Sequence, residues 1–284
     1  MEYRTCAELE MIGKTGAASF DQLIGEQAVR KCRVLSSYWV CTFSGKDGIA
    51  EHLAEDGFWE SWITCWISNN VKPGSVCVDA GSTYGYYTFF LAQHGCRVYS
   101  IEANPALIPL LEYANYLNGS YDRVTIINKA VANESGKSLR LGFSDSIGGT
   151  SVNLSAENGS IHVESILLDD LLVLEKRFDF IKLDVSGSEQ RALEGMKKIF
   201  SINPACTCIM EFAPSYYPEK GLGFFNKLLQ QFFVAYIDAD GQEVIIRDYS
   251  FFENRTEPWV MLVLRTRYSA EQSPELITAL RDLD

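Results

Sequence analysis

From Lys72 onward the chain adopts a rhythm that constrains its fold more than any other feature of the sequence. Short apolar runs alternate with longer runs of helical spacing, and turn signals separate them. Lys72-Pro73-Gly74 reads as a turn, residues 76–80 as a strand, and 81–85 as a glycine-bearing loop. A helix over 86–94, a strand over 97–102 and a helix over 105–117 follow, with Pro105 suited to a first helical turn. Strands are expected over 124–128, 178–184, 206–212, 233–238 and 259–265, and helices over 168–175, 189–200 and 222–232. Such alternation predicts an α/β fold: a Rossmann-like, doubly wound, mostly parallel seven-stranded sheet with helices on both faces.

The rest of the chain lacks this rhythm. Residues 1–30 read as weak helix and loop, and 34–43 as a strand rich in β-branched and aromatic residues. Over 55–69, Phe58, Trp62, Ile63, Trp66 and Ile67 recur at helical spacing, so one helix starting near Asp56 or Gly57 is expected there. Its tryptophan stripe reads as core rather than as a ligand platform. Strands over 138–143 and 161–165 flank a polar loop, 144–159, which contains Gly148 and Gly149. A loop of that length inside a domain is usually functional, and this one is expected to cover the cofactor or acceptor. The chain thus divides into an N-terminal extension (1–70), a catalytic domain (71–268) and a peripheral polar tail (269–284). The extension is expected to cap the acceptor side or to mediate a homodimer.

Charge narrows the range of partners. Against 25 Lys and Arg stand 37 Asp and Glu, a formal net charge of −12 with no basic cluster. Phosphate backbones and anionic membranes are repelled by such a surface, so neither nucleic acid nor membrane is expected as a partner. The eight cysteines are scattered and show no zinc-ligand spacing, which fits buried, reduced thiols in a cytoplasmic protein. The first 25 residues carry no signal-peptide pattern, and no stretch is long and apolar enough to span a membrane.

In open α/β sheets ligands bind beyond the carboxyl ends of the strands, where the strand order reverses. The first strand runs into Asp79-Ala80-Gly81-Ser82-Thr83-Tyr84-Gly85, and Tyr86 opens a helix. Gly81 and Gly85 allow a tight turn and close backbone approach, while the first N–H groups of the helix point at the ligand. Dinucleotide loops space their glycines G-x-G-x-x-G to seat a pyrophosphate. The G-x-x-x-G spacing here suits a ligand without phosphates, such as the methionine part of S-adenosylmethionine, although an ordinary βα turn would look the same. Glu102, ending the second strand, is placed to accept both ribose hydroxyls of an adenosine, and Ala103 and Asn104 follow it.

Lys182 and Asp184 share one face of a buried strand. Buried charges are costly unless paired or functional, and an ion pair bracing the sheet is the alternative explanation. Glu189 falls in the first turn of the next helix, and Glu211 ends the fifth strand at the same rim. Three carboxylates at one rim could also hold a divalent cation. His162 is a further base candidate, or simply a satisfied histidine; His52 and His94 read as structural.

Taken in order, these motifs resemble the FkbM family of methyltransferases. The matching residues are Asp79, Gly81, Gly85, Tyr86, Tyr87 and Thr88; Glu102, Asn104 and Pro105; Leu168, Asp169 and Leu171; Lys182, Asp184, Gly187 and Glu189; and Glu211. Departures from the family pattern are Ser82-Thr83 for Ala-Asn, Ala103 for Pro, and Ser186 for Glu. The resemblance implies a class I fold and methyl transfer from S-adenosylmethionine, usually to a hydroxyl of a sugar or natural product. The cofactor-binding set it implies is Asp79, Gly81, Ser82, Thr83, Gly85, Tyr86, Glu102, Ala103, Asn104 and Asp184. Asp184 is the first candidate for the base or for a partner of the cofactor's ammonium group, followed by Glu211 and Glu189, with Lys182 beside them. The acceptor is expected to be a small molecule, a sugar or a peptide. N-methylation, an NAD-dependent oxidoreductase and a non-catalytic binding module stay open as alternatives; loss of the acid at Ser186 bears on the acceptor.

Overall fold

The computed structural model describes residues 5–24, 27–44, 47–142, 151–152, 161–253 and 255–267. The chain opens with α1 (Cys6–Gly16), whose Thr5 cap accepts a hydrogen bond from the Glu8 N–H at 3.1 Å. Next come β1 (Ala18–Ile24), β2 (Gln27–Val34) and β3 (Tyr38–Phe43), an antiparallel meander. This corrects the reading of residues 1–30 as helix and loop. Leu35 and Ser36, both at positive φ, turn the chain within the stretch expected to be one continuous strand.

The helix expected over 55–69, from near Asp56 or Gly57, begins only at Ser61, and a helix not expected from the sequence precedes it. α2 (Gly48–Glu55) starts on the Asp47 cap, and α3 (Ser61–Asn70) follows a break. The break has a packing cause. Gly57 lies so close to α1 that a Cβ there would sit 2.6 Å from the Gly13 carbonyl oxygen. Gly57 takes φ +69 and Glu60 takes φ +39, and no helix passes through that conformation.

The α/β part then runs β4 (Val76–Ala80), α4 (Tyr86–Gln93), β5 (Arg97–Glu102), α5 (Ile108–Asn118) and β6 (Val124–Asn128). Pro105 lies in a turn ahead of α5, and Pro109 occupies the helix start instead. Short β7 (Ala130–Val131), β8 (Ser138–Gly142), β9 (Ser151–Val152) and β10 (Ile161–Ile166) form a separate four-stranded sheet. Apart from the β9 backbone, the loop expected over 144–159 lies outside the described residues, as does the tail over 269–284. A 3-10 helix over Leu168–Val173 leads to β11 (Phe180–Leu183), α6 (Glu189–Glu194), α7 (Lys197–Ile202) and β12 (Thr207–Phe212). The helix expected over 189–200 breaks at Gly195, where a Cβ would meet the Ala132 carbonyl oxygen at 2.3 Å. The chain ends with α8 (Leu222–Gln231), β13 (Phe232–Ile237), β14 (Glu243–Ile245), α9 (Ser250–Glu253) and β15 (Val260–Thr266).

The main sheet has eight strands in the order β14-β13-β15-β12-β11-β4-β5-β6. The five from β12 to β6 are parallel, and β13, β14 and β15 join antiparallel. The extra strand relative to the seven expected is β14, a three-residue edge strand too short to stand out in the sequence. The chain is a Rossmann-like α/β fold. From β4 it winds outward through β5 and β6, then returns to build β11 and β12 on the other side. The reversal lies between β4 and β11, which is where such sheets bind ligands.

Apolar residues pack on both faces of the sheet. On one face, α3, α4 and the N-terminal meander share a single core with Cys77, Phe180 and Val263. Trp66 lies at its centre, 1% exposed, 6.2 Å ring to ring from Phe180. Its indole N–H donates to Glu243 Oε1 at 2.9 Å, and the same carboxylate takes both Arg265 guanidinium nitrogens at 2.6 Å. One tryptophan thus joins the N-terminal helices to the antiparallel edge of the sheet. Truncation leaves a large cavity and frees a half-buried acid. Trp66→Ala is expected to lower the unfolding free energy by about 3–5 kcal/mol, read from urea denaturation followed by circular dichroism.

Candidate functional site

A cavity of about 280 Å³ opens at the strand reversal. Its first wall is the loop after β4. Gly81 takes φ +80, and a Cβ there would sit 1.7 Å from the Asp184 carbonyl oxygen, so only glycine lets the loop and the end of β11 meet. Thr83 also lies at positive φ, +51, which is strained for a β-branched residue. The strain is held by Glu102, whose Oε2 accepts the Thr83 N–H at 2.8 Å while Oε1 accepts the Asn104 N–H at 2.7 Å. One carboxylate therefore fixes the loops after β4 and after β5. Burial pushes the Glu102 carboxyl up to about 7.

Asp79 lies behind this loop, fully buried, and accepts from the Thr88 hydroxyl at 2.6 Å. Its other oxygen has no partner among the described residues, nor has the buried hydroxyl of Ser82, a residue of the cavity wall. Pairing of β11 with β4 sets Lys182 opposite Asp79. The Lys182 ammonium, 2% exposed, binds Asp184 Oδ2 at 2.9 Å and lies 5.0 Å above the centre of the Tyr87 ring. Burial alone would pull this ammonium down, but Asp184, Asp79 and Glu60 together hold it above the usual lysine range.

The opposite end of the cavity carries Trp59, Glu60, Tyr87, Glu211, Tyr216 and Trp259. Glu60 Oε2 accepts the Tyr87 hydroxyl at 2.6 Å, and burial, together with the Asp184 charge, pushes its carboxyl up to about 7. Burial and the charges of Asp184 and Glu189 push Glu211 up to about 9. Apolar wall is contributed by Ala103, Leu107, Ala130, Val131 and Leu141, with Lys129 beside them, its ammonium paired with Glu164.

Of the residues expected from sequence, Gly81, Ser82, Thr83, Tyr86, Glu102, Ala103, Lys182, Asp184 and Glu211 line the cavity. Asp79, Gly85 and Asn104 stand behind it; the Asn104 side chain accepts the Ala106 N–H at 3.0 Å and shapes the turn before α5. The Tyr86 phenol lies 3.0 Å from the Thr64 hydroxyl. Glu189 lies outside the cavity. Its oxygens accept the N–H groups of Val185 and Gly187 at 3.0–3.1 Å and the Tyr217 hydroxyl, fixing the loop in which Ser186 and Gly187 are both left-handed. His162 is not brought to the cavity; its Nδ1 lies 3.1 Å from the Ser138 hydroxyl. His94 is buried against the Val71 carbonyl, and His52 pairs with Asp56. Among the described residues, no group of three or more His, Cys, Asp and Glu is placed to hold a metal ion. The three-carboxylate cation site fails for a geometric reason: Asp184 is tied to Lys182 and Glu189 to backbone N–H groups. Trp59, Glu60 and Trp259 were not anticipated. Glu60 sits within an unbroken helical spacing, and no sequence signal distinguishes it.

The profile of the Methyltransferase FkbM domain matches residues 78–244, more than half of the chain. The chain belongs to the FkbM methyltransferase family. It is thus a methyltransferase by family, as the motif order implied. No curated protein matches it in sequence. Solved structures similar to it include a precorrin-8w decarboxylase of Methanobacterium thermoautotrophicum, at 19% identity and TM-score 0.41, covering 72% of this chain and 88% of that one. A TehB-like methyltransferase of Corynebacterium glutamicum is 13% identical at TM-score 0.42, covering 77% and 95% of the two chains. An rRNA methylase of Streptococcus thermophilus is 12% identical at TM-score 0.41, covering 73% and 93%. No helix among the described residues is long and apolar enough to cross a membrane. All eight cysteines are free thiols.

The family's Asn stands where Thr83 is, and asparagine tolerates left-handed backbone. Thr83→Asn is expected to raise the unfolding free energy by about 1 kcal/mol, seen as a higher thermal midpoint. A second expectation concerns pH. Glu60 and Glu102 near 7 and Glu211 near 9 all lie above their ordinary value of 4.5. Their folded forms bind a proton more tightly than their unfolded forms, so the stability they add is full below about pH 4.5 and lost as pH rises through 7 and then 9. Urea melts of the ligand-free chain should show stability falling from pH 6 to pH 9.5, and Glu211→Gln should flatten the fall above pH 8.

Proposed function

We propose that the chain transfers a methyl group from S-adenosylmethionine to a hydroxyl of a small polar acceptor, a sugar or natural product. The observation that carries the reading is Glu102. Its carboxylate ends β5 in the cavity, with its two oxygens bracing two loops and lone pairs left to accept a pair of ribose hydroxyls. The other features of the cavity fit the rest of the cofactor. Ala103, Leu107, Ala130, Val131 and Leu141 offer an apolar slot for a flat adenine. The unpartnered Ser82 hydroxyl and the first N–H groups of α4 suit the amino-acid part, and Asp184 suits its ammonium.

When bound, the cofactor supplies an electrophilic methyl on a positive sulfur. The chain's own groups position the partners and control charge. Lys182 holds Asp184 in place; Glu189 holds the loop over 185–188; Glu102 anchors the sugar. Trp59, Tyr87, Tyr216 and Trp259 line the cavity beside Lys182 and Asp184 and offer aromatic faces to an acceptor. A net charge of −12 disfavours nucleic acid as the acceptor. Free buried thiols support a reducing compartment such as the cytoplasm.

Calorimetric titration tests the reading. S-adenosylmethionine and S-adenosylhomocysteine should both bind, and Glu102→Gln should weaken both about ten- to a hundredfold, the ~1.5–3 kcal/mol of hydrogen bonds to a charged group. The ribose hydroxyls favour the ionised carboxylate, so S-adenosylhomocysteine should bind more tightly as pH rises through about 7. Absence of binding to the wild type, with normal folding, refutes the proposal.

A further inference from the structure

We propose that Glu60 is the catalytic base, facing the transferred methyl from the acceptor side and taking the proton of the acceptor hydroxyl. This rests on the cofactor reading above. It assigns a chemical role to a residue outside the 78–244 segment that defines the family.

The first argument is backbone geometry. Glu60 precedes α3 at φ +39, ψ +68, a conformation that is costly for any residue with a Cβ. Its side chain gives no hydrogen bond to the helix it precedes. The carboxylate is directed instead to the Tyr87 hydroxyl at 2.6 Å and lines the cavity. Strain of this kind persists only where packing imposes it, and it concentrates at functional sites.

The second argument is the state of the neighbouring groups. Glu60 is faced by the Tyr87 phenol from α4, by Lys182 from β11 and Asp184 just beyond it, by Glu211 from β12 and by its own neighbour Trp59. Lys182 and Asp184 are committed to each other at 2.9 Å. Burial and the Asp184 and Glu189 charges raise Glu211 further than Glu60, and the oxygens of Glu189 bind backbone N–H groups. Glu102 braces the two cofactor-side loops. Among the described carboxyls at the acceptor end, Glu60 alone is left to exchange a proton near neutrality, with its carboxyl raised to about 7 by burial and the Asp184 charge. A general base works best when its pKa lies near the working pH.

The step balances. The acceptor O–H proton passes to the Glu60 carboxylate as the oxygen lone pair forms the new O–C bond. The C–S bond breaks and its electron pair stays on sulfur, which becomes a neutral thioether. Glu60 then returns its proton to water.

The test needs no acceptor. Sinefungin carries an amine-bearing carbon where S-adenosylmethionine carries its methyl sulfonium, whereas S-adenosylhomocysteine has a neutral sulfur and no methyl. A carboxylate facing the methyl position should favour the sinefungin ammonium. Wild type at pH 8 should therefore prefer sinefungin, and the preference should fall as pH drops through about 7. Glu60→Gln should reduce the preference about tenfold, as loss of a charge-assisted contact does, with S-adenosylhomocysteine affinity unchanged. Calorimetry at pH 7 in phosphate and in Tris should show more proton released on binding sinefungin than on binding S-adenosylhomocysteine to wild type, and equal release for the two ligands in Glu60→Gln. Tyr87→Phe offers a second route should Glu60→Gln misfold: losing its hydrogen bond, the Glu60 carboxyl titrates higher, so the pH midpoint of the preference rises. Equal loss of both ligands in Glu60→Gln, or an unchanged preference, overturns the role of Glu60 alone. Failure of both ligands to bind wild type removes the cofactor reading and this inference with it.

Discussion

The site is organised around a buried ammonium. Lys182, 2% exposed in the middle of a parallel sheet, would be expelled or neutral without its partners. Asp184 binds it directly, Asp79 lies opposite it across the β11–β4 pairing, and the Tyr87 ring covers it at 5.0 Å. Fixing Asp184 in turn fixes the backbone against which Gly81 turns, and the Gly81 turn sets the path of the loop that Glu102 holds. One charge thus couples the first, second and fourth parallel strands at their carboxyl ends. Its single positive charge does not suffice for every acid around it. Glu60 and Glu211 remain near enough to like charge, and far enough from water, to hold protons at pH values where carboxyls are normally ionised.

Much of this was legible in the sequence, because parallel strands and their glycine loops repeat a local signal. The order of strands from Val76 to Phe212, the loop between Gly81 and Gly85, and the clustering of Glu102, Lys182, Asp184 and Glu211 all follow from short windows of chain. What was not legible depends on contacts distant in sequence. Gly57 delays the start of the predicted 55–69 helix to Ser61 because α1 passes 2.6 Å from where its side chain would be. Gly195 breaks the predicted 189–200 helix against the Ala132 carbonyl. The β1–β2 hairpin carries Arg30, Lys31 and Arg33 among apolar residues, which blurs the period-two pattern. The same blindness hid Glu60 in an apolar helical spacing, and it inflated Glu189 into a catalytic candidate when its carboxylate is occupied by the loop it braces.

The N-terminal segment is more than an appendage to the sheet. Its residues Leu9, Val29 and Tyr38 share one apolar core with Phe89, Phe180 and Val263, and the same segment supplies Trp59 and Glu60 to the cavity wall. The family match begins within β4, at residue 78, yet one face of β4 is covered by residues from ahead of it.

That shared core bears on how such an enzyme can change over evolutionary time. In many α/β enzymes, loops that choose the substrate can be exchanged without disturbing the sheet beneath. Here Trp59 and Glu60, which line the cavity, immediately precede α3, whose Trp66 is buried in the sheet's own core and bonded to Glu243. A substitution that reshapes this part of the wall therefore bears on the packing of the fold, so change at the cavity is coupled to folding as well as to chemistry.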